Sequence, residues 1–160
     1  MNSLQNVLDE KTKANSLLSE KKYSEAEKAY KQLIEGIDKL LEKENIENKE
    51  GILEQKKFVM SNLALSLVKQ YKVTESMKYD RIIIKKLDKK FVKSYARLID
   101  GYIQCDKISM ARYHYDLMKE NVDEESIKKC SEVINKLENE LKKKDSNVDG
   151  LMLLKDLFKK

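Results

Sequence analysis

The sequence predicts an all-α fold, and three observations carry that prediction. Proline is absent and only four glycines occur in 160 residues, whereas an all-β chain draws on Gly, Pro and Asn for its many tight turns. Apolar residues recur three and four positions apart almost throughout, which is the period of an amphipathic helix and not of a strand. Charged residues make up 38% beside 41% hydrophobic ones, a balance that suits solvated helical faces over an apolar core. The length suits one domain with a sizeable core, hardly two.

Taken in order, Leu4, Val7, Leu8, Ala14, Leu17 and Leu18 predict a first helix ending near Lys21 and Lys22. Ala26, Ala29, Tyr30, Leu33, Ile34, Ile37, Leu40 and Leu41 form a second stripe to about Glu44, with Ser24 and Glu27 at capping-box spacing. The polar stretch from Asn45 to Gly51 reads as a loop. A third helix follows from Ile52 to Val68, and a fourth is capped by Thr74 and carries Met77, Ile82, Ile83, Ile84 and Leu87. The fifth runs from about Lys90 to Gln104, the sixth from Ser109 to Lys119, and the seventh from Glu124 to Lys143. After the polar Asp145, Ser146 and Asn147, the segment Leu151 to Phe158 either packs on or extends the seventh helix, or offers an amphipathic face to a partner helix.

Composition also removes classes of function. No run approaches the ~20 apolar residues that span a bilayer, and the start, Met1 to Asn6, lacks the basic segment and apolar core of a signal peptide. Cys105 and Cys130 have no metal-ligand spacing and read as small core residues in a reduced compartment, so a cytoplasmic location is expected. The net charge of +5, from 33 basic and 28 acidic residues, is spread along the chain and gives no nucleic-acid footprint. His114, the single histidine, has no nucleophile or carboxylate at a recognisable spacing. Neither an enzyme nor a cofactor or metal is expected.

The segment Lys13 to Tyr30 resembles the tetratricopeptide repeat very closely. A small residue, Ala14, lets the first helix approach its partner; Tyr23 follows the turn; Ala26 sits at the crossing and Tyr30 packs behind it. Two weaker copies follow, one from Asn62 to Asp88 with Ala64 and Ser76 as its small residues, and one from Lys93 to Met118 with Ala111 and Tyr115. Ile99 and Asp80 depart from the pattern, and the customary terminal prolines are missing. The crossing residues Ala26, Ser76 and Ala111 lie 50 and 35 positions apart, against a repeat of about 34. The resemblance implies a superhelix of three helix-turn-helix repeats (about 6–44, 52–88 and 90–120) with a capping helix over 124–144. The domain would span 1–145, with an extension over 146–160.

Lys11 and Asn15 share one helical face, Lys93 and Arg97 share another, and Asn62 occupies the matching face of the third helix. These five are similar to the two-carboxylate clamp of co-chaperone tetratricopeptide domains, which bind the acidic C-terminal tails of cytosolic heat-shock chaperones. The resemblance implies the same chemistry here: Lys11 and the two amides on the paired carboxylates of a terminal Asp, Lys93 and Arg97 on the remaining carboxylate and nearby carbonyls. The long second helix, the loop after it and the closing Leu157 to Lys160 narrow the likeness to the C-terminal domain of large immunophilins. Two alternatives stay open. The chain is a tetratricopeptide scaffold for some other peptide, or it is the non-catalytic part of a prolyl isomerase whose catalytic domain lies elsewhere.

Overall fold

The computed structural model describes residues 3–157, the side chains of Val148 and Asp149 excepted. Among these residues the fold is all-helical, with eight α-helices, one π turn and no strand. By packing, the chain divides into two compact units, residues 1–94 and 95–160. The boundary falls inside a helix, and at 145/146, where the sequence suggests that the domain ends, another helix continues unbroken.

In the first unit, α1 (Leu4–Ser19) and α2 (Tyr23–Leu41) pack together, and α3 (Lys49–Lys69) lies against both. Helix α4 (Val73–Ile82) packs on α3 and runs into a π turn, Ile83–Leu87. The core is the set of stripes read from the sequence: Val7 and Ala14 from α1, Ala26 to Leu40 from α2, Ile52 to Leu67 from α3, and Ile83. Helix α3 begins at Lys49, so Gly51 belongs to the helix and not to the preceding loop. A Cβ there would meet a methyl of Leu4 at 3.3 Å, so α3 approaches the start of α1 closely at this position.

The two expected caps are corrected by the structure. Lys22 and Lys72 hold the N-cap positions of α2 and α4 without any side-chain cap, and Ser24 and Thr74 lie inside the helices. Each helix starts earlier because the preceding turn already supplies its first carbonyls, Lys22 O accepting from Ala26 N at 2.9 Å and Lys72 O from Ser76 N at 3.0 Å. Glu27 is therefore freed from capping and is buried instead, where it binds Lys72 (3.0 Å), Lys31 (3.0 Å) and Gln70 (3.1 Å). Burial pushes its carboxyl up, but the hydrogen bonds from Lys72, Lys31 and Gln70 outweigh it and hold the group below its ordinary value.

One turn recurs three times. Lys21, Tyr71 and Asp106 are left-handed, with φ of 61°, 61° and 55°. In each case the next residue's N–H bonds back to a carbonyl five residues earlier, Lys22 to Leu17, Lys72 to Leu67 and Lys107 to Tyr102, at 2.8–2.9 Å. This is a Schellman-type ending. Five residues beyond each left-handed position stands a buried small residue, Ala26, Ser76 and Ala111.

In the second unit, α5 (Val92–Gln104, which begins in the first unit) is followed by α6 (Ile108–Asn121), α7 (Glu124–Lys128) and α8 (Ser131–Leu157), and α6 packs on α7 and α8. The single helix expected over 124–143 is interrupted at Lys129 and Cys130. There, Lys129 N and Cys130 N bond to carbonyls three residues back, tightening the last turn and ending α7. Asp123 caps α7 by accepting from Ser126 N at 2.9 Å. Helix α8 runs straight through Asp145 to Asn147 and extends to Leu157, because exposed polar residues need no partner in a chain without proline to stop it. Phe158, Lys159 and Lys160 lie outside the described residues. His114 is buried, stacks on Tyr102 at 5.0 Å and bonds through Nδ1 to Met110 O at 2.8 Å, a packing role. Cys130 is a free, buried thiol that burial pushes up. No helix among the described residues is long and apolar enough to cross a membrane.

Candidate functional site

The seam between α1 and α3 carries three of the sequence-predicted residues. Asn15, half-buried on α1, receives two hydrogen bonds on its Oδ1: one from the Tyr30 hydroxyl of α2 at 2.6 Å and one from Asn62 Nδ2 of α3 at 3.0 Å. Both lone-pair directions of that oxygen are thus used, which fixes the amide plane and leaves the Asn15 NH2 on the other side as donor. The Asn62 NH2 donates to Asn15 Oδ1 and also faces the Tyr30 hydroxyl, so that amide is fixed as well. Tyr30 is fully buried, and burial pushes its hydroxyl up to about 12 even though a hydrogen bond from Asn62 acts the other way. It is therefore a neutral, fixed donor at ordinary pH.

One turn back on α1, the Lys11 ammonium binds the side-chain oxygen of Gln55 and lies 5.5 Å from the centre of the Phe58 ring. Gln55, Phe58 and Asn62 succeed one another at spacings of three and four along α3, so they share a face. Phe58 in turn meets Phe91 edge-on at 6.2 Å, and the Lys57 ammonium lies 4.8 Å from the first ring and 5.3 Å from the second. Lys57 is held by Asp88 at 3.0 Å, and Asp88 also accepts from Lys90 N at 2.9 Å. Burial raises the Asp88 carboxyl, but its bonds from Lys90 and Lys57 more than compensate, and it ends lowered. Phe91 leads directly into α5, where Lys93 is exposed in the first turn.

The structure thus gathers Lys11, Asn15 and Asn62 on one seam and links them through Phe58 and Phe91 to the segment bearing Lys93, all within the first unit. Arg97 comes one turn after Lys93 on α5, is half-buried, and belongs to the second unit. From sequence, Tyr30 and Phe58 read as packing residues, Phe58 in the apolar stripe of the third helix, and Gln55 is not singled out. Gln55 and Phe58 both lie on the Asn62 face at helical spacing, which is the signal that could have found them.

The arrangement is chemically suited to an anion with two oxygens near one another: an ammonium and two oriented amides, with no carboxylate of the chain bonded to Lys11, Asn15 or Asn62 among the described residues. A separate hollow of about 440 Å³ opens between α1 and α2, lined by Asp9 and by Glu10, the latter paired with Lys13 at 2.8 Å, so it lacks the unneutralised ammonium of the seam. No protein-family model matches the chain, and no curated protein matches it.

Proposed function

We propose that the chain is a tetratricopeptide-type adaptor that binds the acidic C-terminal peptide of a heat-shock chaperone, with Lys11, Asn15, Asn62 and Lys93 as carboxylate ligands and Arg97 one turn beyond. The observation that carries this reading is the Asn15–Tyr30–Asn62 network, which sets two amide donors in fixed directions beside an ammonium. Preorganised donors bind a carboxylate without first losing rotamer freedom. The thrice-recurring turn, each followed after five residues by a buried small residue, supports the repeat architecture.

A terminal Asp presents a side-chain and a main-chain carboxylate. Lys11 and the two amides take that pair, and Lys93 takes the neighbouring acidic group. Hydrogen bonds to charged groups contribute about 1.5–3 kcal/mol each, and association entropy offsets much of the sum, so a dissociation constant on the order of micromolar is expected. The module has no catalytic role of its own in this reading, and a prolyl-isomerase assay of the chain is expected to be blank.

The test is a calorimetric titration with the peptide Glu-Glu-Val-Asp, as free acid and as C-terminal amide. The free acid is expected to bind at least tenfold more tightly than the amide. Lys93→Ala is expected to weaken it by about tenfold or more while leaving the melting temperature unchanged, because Lys93 is exposed. Equal affinity for the two peptides would refute the reading.

A further inference from the structure

The segment 85–93 carries five lysines in nine residues, Lys85, Lys86, Lys89, Lys90 and Lys93, all exposed. Some exposed lysines elsewhere are paired with neighbouring acids, as in Lys13–Glu10 and Lys22–Glu20 at 2.8 Å and Lys39–Glu35 at 3.2 Å, and others are not, so what sets this run apart is five lysines in nine residues. Lys85, Lys86, Lys90 and Lys93 make no such pair among the described residues. The one acid in the run, Asp88, is spent on Lys57 and on the Lys90 backbone N–H. A π turn followed by an extended residue, Asp88 with φ −157° and ψ 100°, joins α4 to α5 within this run. Apart from Asp88, the positions three and four residues from Lys85, Lys86, Lys90 and Lys93 carry no acid in the sequence, so no other carboxylate at helical spacing neutralises them.

This cationic run ends at Lys93 and is tied to the α3 seam through Lys57–Asp88 and Phe58–Phe91. We infer that it is an electrostatic extension of the peptide site, engaging acidic residues that lie upstream of the ligand's C-terminal acid. The inference rests on the peptide-binding reading above. The occupant is an acidic peptide segment because the run is continuous with Lys93 of the proposed site, and because closely spaced exposed ammoniums complement closely spaced carboxylates. Each exposed pair contributes little, so several together give roughly a tenfold effect at low salt. Such charges act over about 10 Å at 0.1 M salt, so they also speed encounter.

The experiment compares two octapeptides with free C-termini, Asp-Asp-Asp-Asp-Glu-Glu-Val-Asp and Ser-Ser-Ser-Ser-Glu-Glu-Val-Asp, titrated into the whole chain and into the surface variant Lys85→Ser/Lys86→Ser/Lys90→Ser. The aspartate peptide is expected to bind the wild-type chain about tenfold more tightly at low salt. That advantage should fall below twofold at 0.5 M salt and in the variant, while the variant still prefers the free acid to the amide. Equal affinity for the two octapeptides, with the preference for the free acid intact, overturns the extension and leaves the clamp standing. Loss of the free-acid preference in the wild-type chain overturns both. Sedimentation of the wild-type chain with phosphatidylserine vesicles, abolished in the variant and without any aspartate advantage, overturns the inference in favour of a lipid surface.

Discussion

The two ends of the proposed site are built differently. At the α1–α3 seam, donors are fixed: Asn15 is held by Tyr30 and Asn62, and Lys11 rests on Gln55 beside Phe58. At the start of α5, Lys93 and the lysines before it stand exposed. Rigid amides confer direction and cost little on binding, whereas mobile ammoniums confer long-range attraction and remain sensitive to salt. The seam should therefore govern how long a peptide stays, and the lysines how fast it arrives.

Breaking the seam gives the largest expected effect. Asn15→Ala removes one ligand donor and leaves the buried Tyr30 hydroxyl without its acceptor. A stability loss of about 1–3 kcal/mol is expected in urea unfolding, together with loss of measurable peptide binding. If stability is unchanged, the seam is not the rigid end. Next comes pH. Tyr30 has its folded value at about 12 against an ordinary value near 10. The unfolded chain thus loses the proton first, so the contribution of Tyr30 is whole below pH 10 and is lost as pH climbs toward 12. Melting curves of the wild-type chain and Tyr30→Phe across pH 9–12 should converge at the alkaline end.

A smaller effect sharpens the comparison from the ligand's side. The Gln55 oxygen binds the Lys11 ammonium; on the proposed reading it competes there with the ligand's carboxylate, so Gln55→Ala is expected to tighten the free-acid peptide a few-fold, read by the same titration; weaker binding would make Gln55 part of the site. The smallest effect touches neither end. Tyr71 is 93% exposed and left-handed, a conformation that costs a residue with a Cβ about 1–2 kcal/mol. Tyr71→Gly should raise stability by about 1 kcal/mol with peptide affinity unchanged, checked by urea unfolding beside the titration.

The helices were legible because their apolar periodicity is strong, as in α2, where Ala26, Tyr30, Leu33, Ile34, Ile37 and Leu40 are all buried. The crossing residues were legible for a steric reason, and Ala26, Ser76 and Ala111 are buried as expected. Less visible were features set by hydrogen-bond register. The π turn at Ile83–Leu87 leaves no mark in an unbroken isoleucine run, and the interruption at Lys129 and Cys130 hides under a stripe that continues from Ile127 through Cys130 to Ile134. Capping spacings at Ser24 and Thr74 misled because a Schellman turn had already opened both helices. In the site, the residue types and faces of Lys11, Asn15 and Asn62 were readable. The direction of the Asn15 amide was not, since Tyr30 arrives from another helix and settles it.

The π turn carries one residue more than an α-helical turn of the same span needs. Deleting a single residue between Ile83 and Leu87 would let the turn close as an ordinary α-turn of the same span, so the side chains within it would be redealt around the helix axis. At present Ile83 and Ile84 face the core and Lys85 and Lys86 face solvent. The surplus residue acts as an angular shim: without it the same side chains would still be encoded, but aimed at the wrong azimuth.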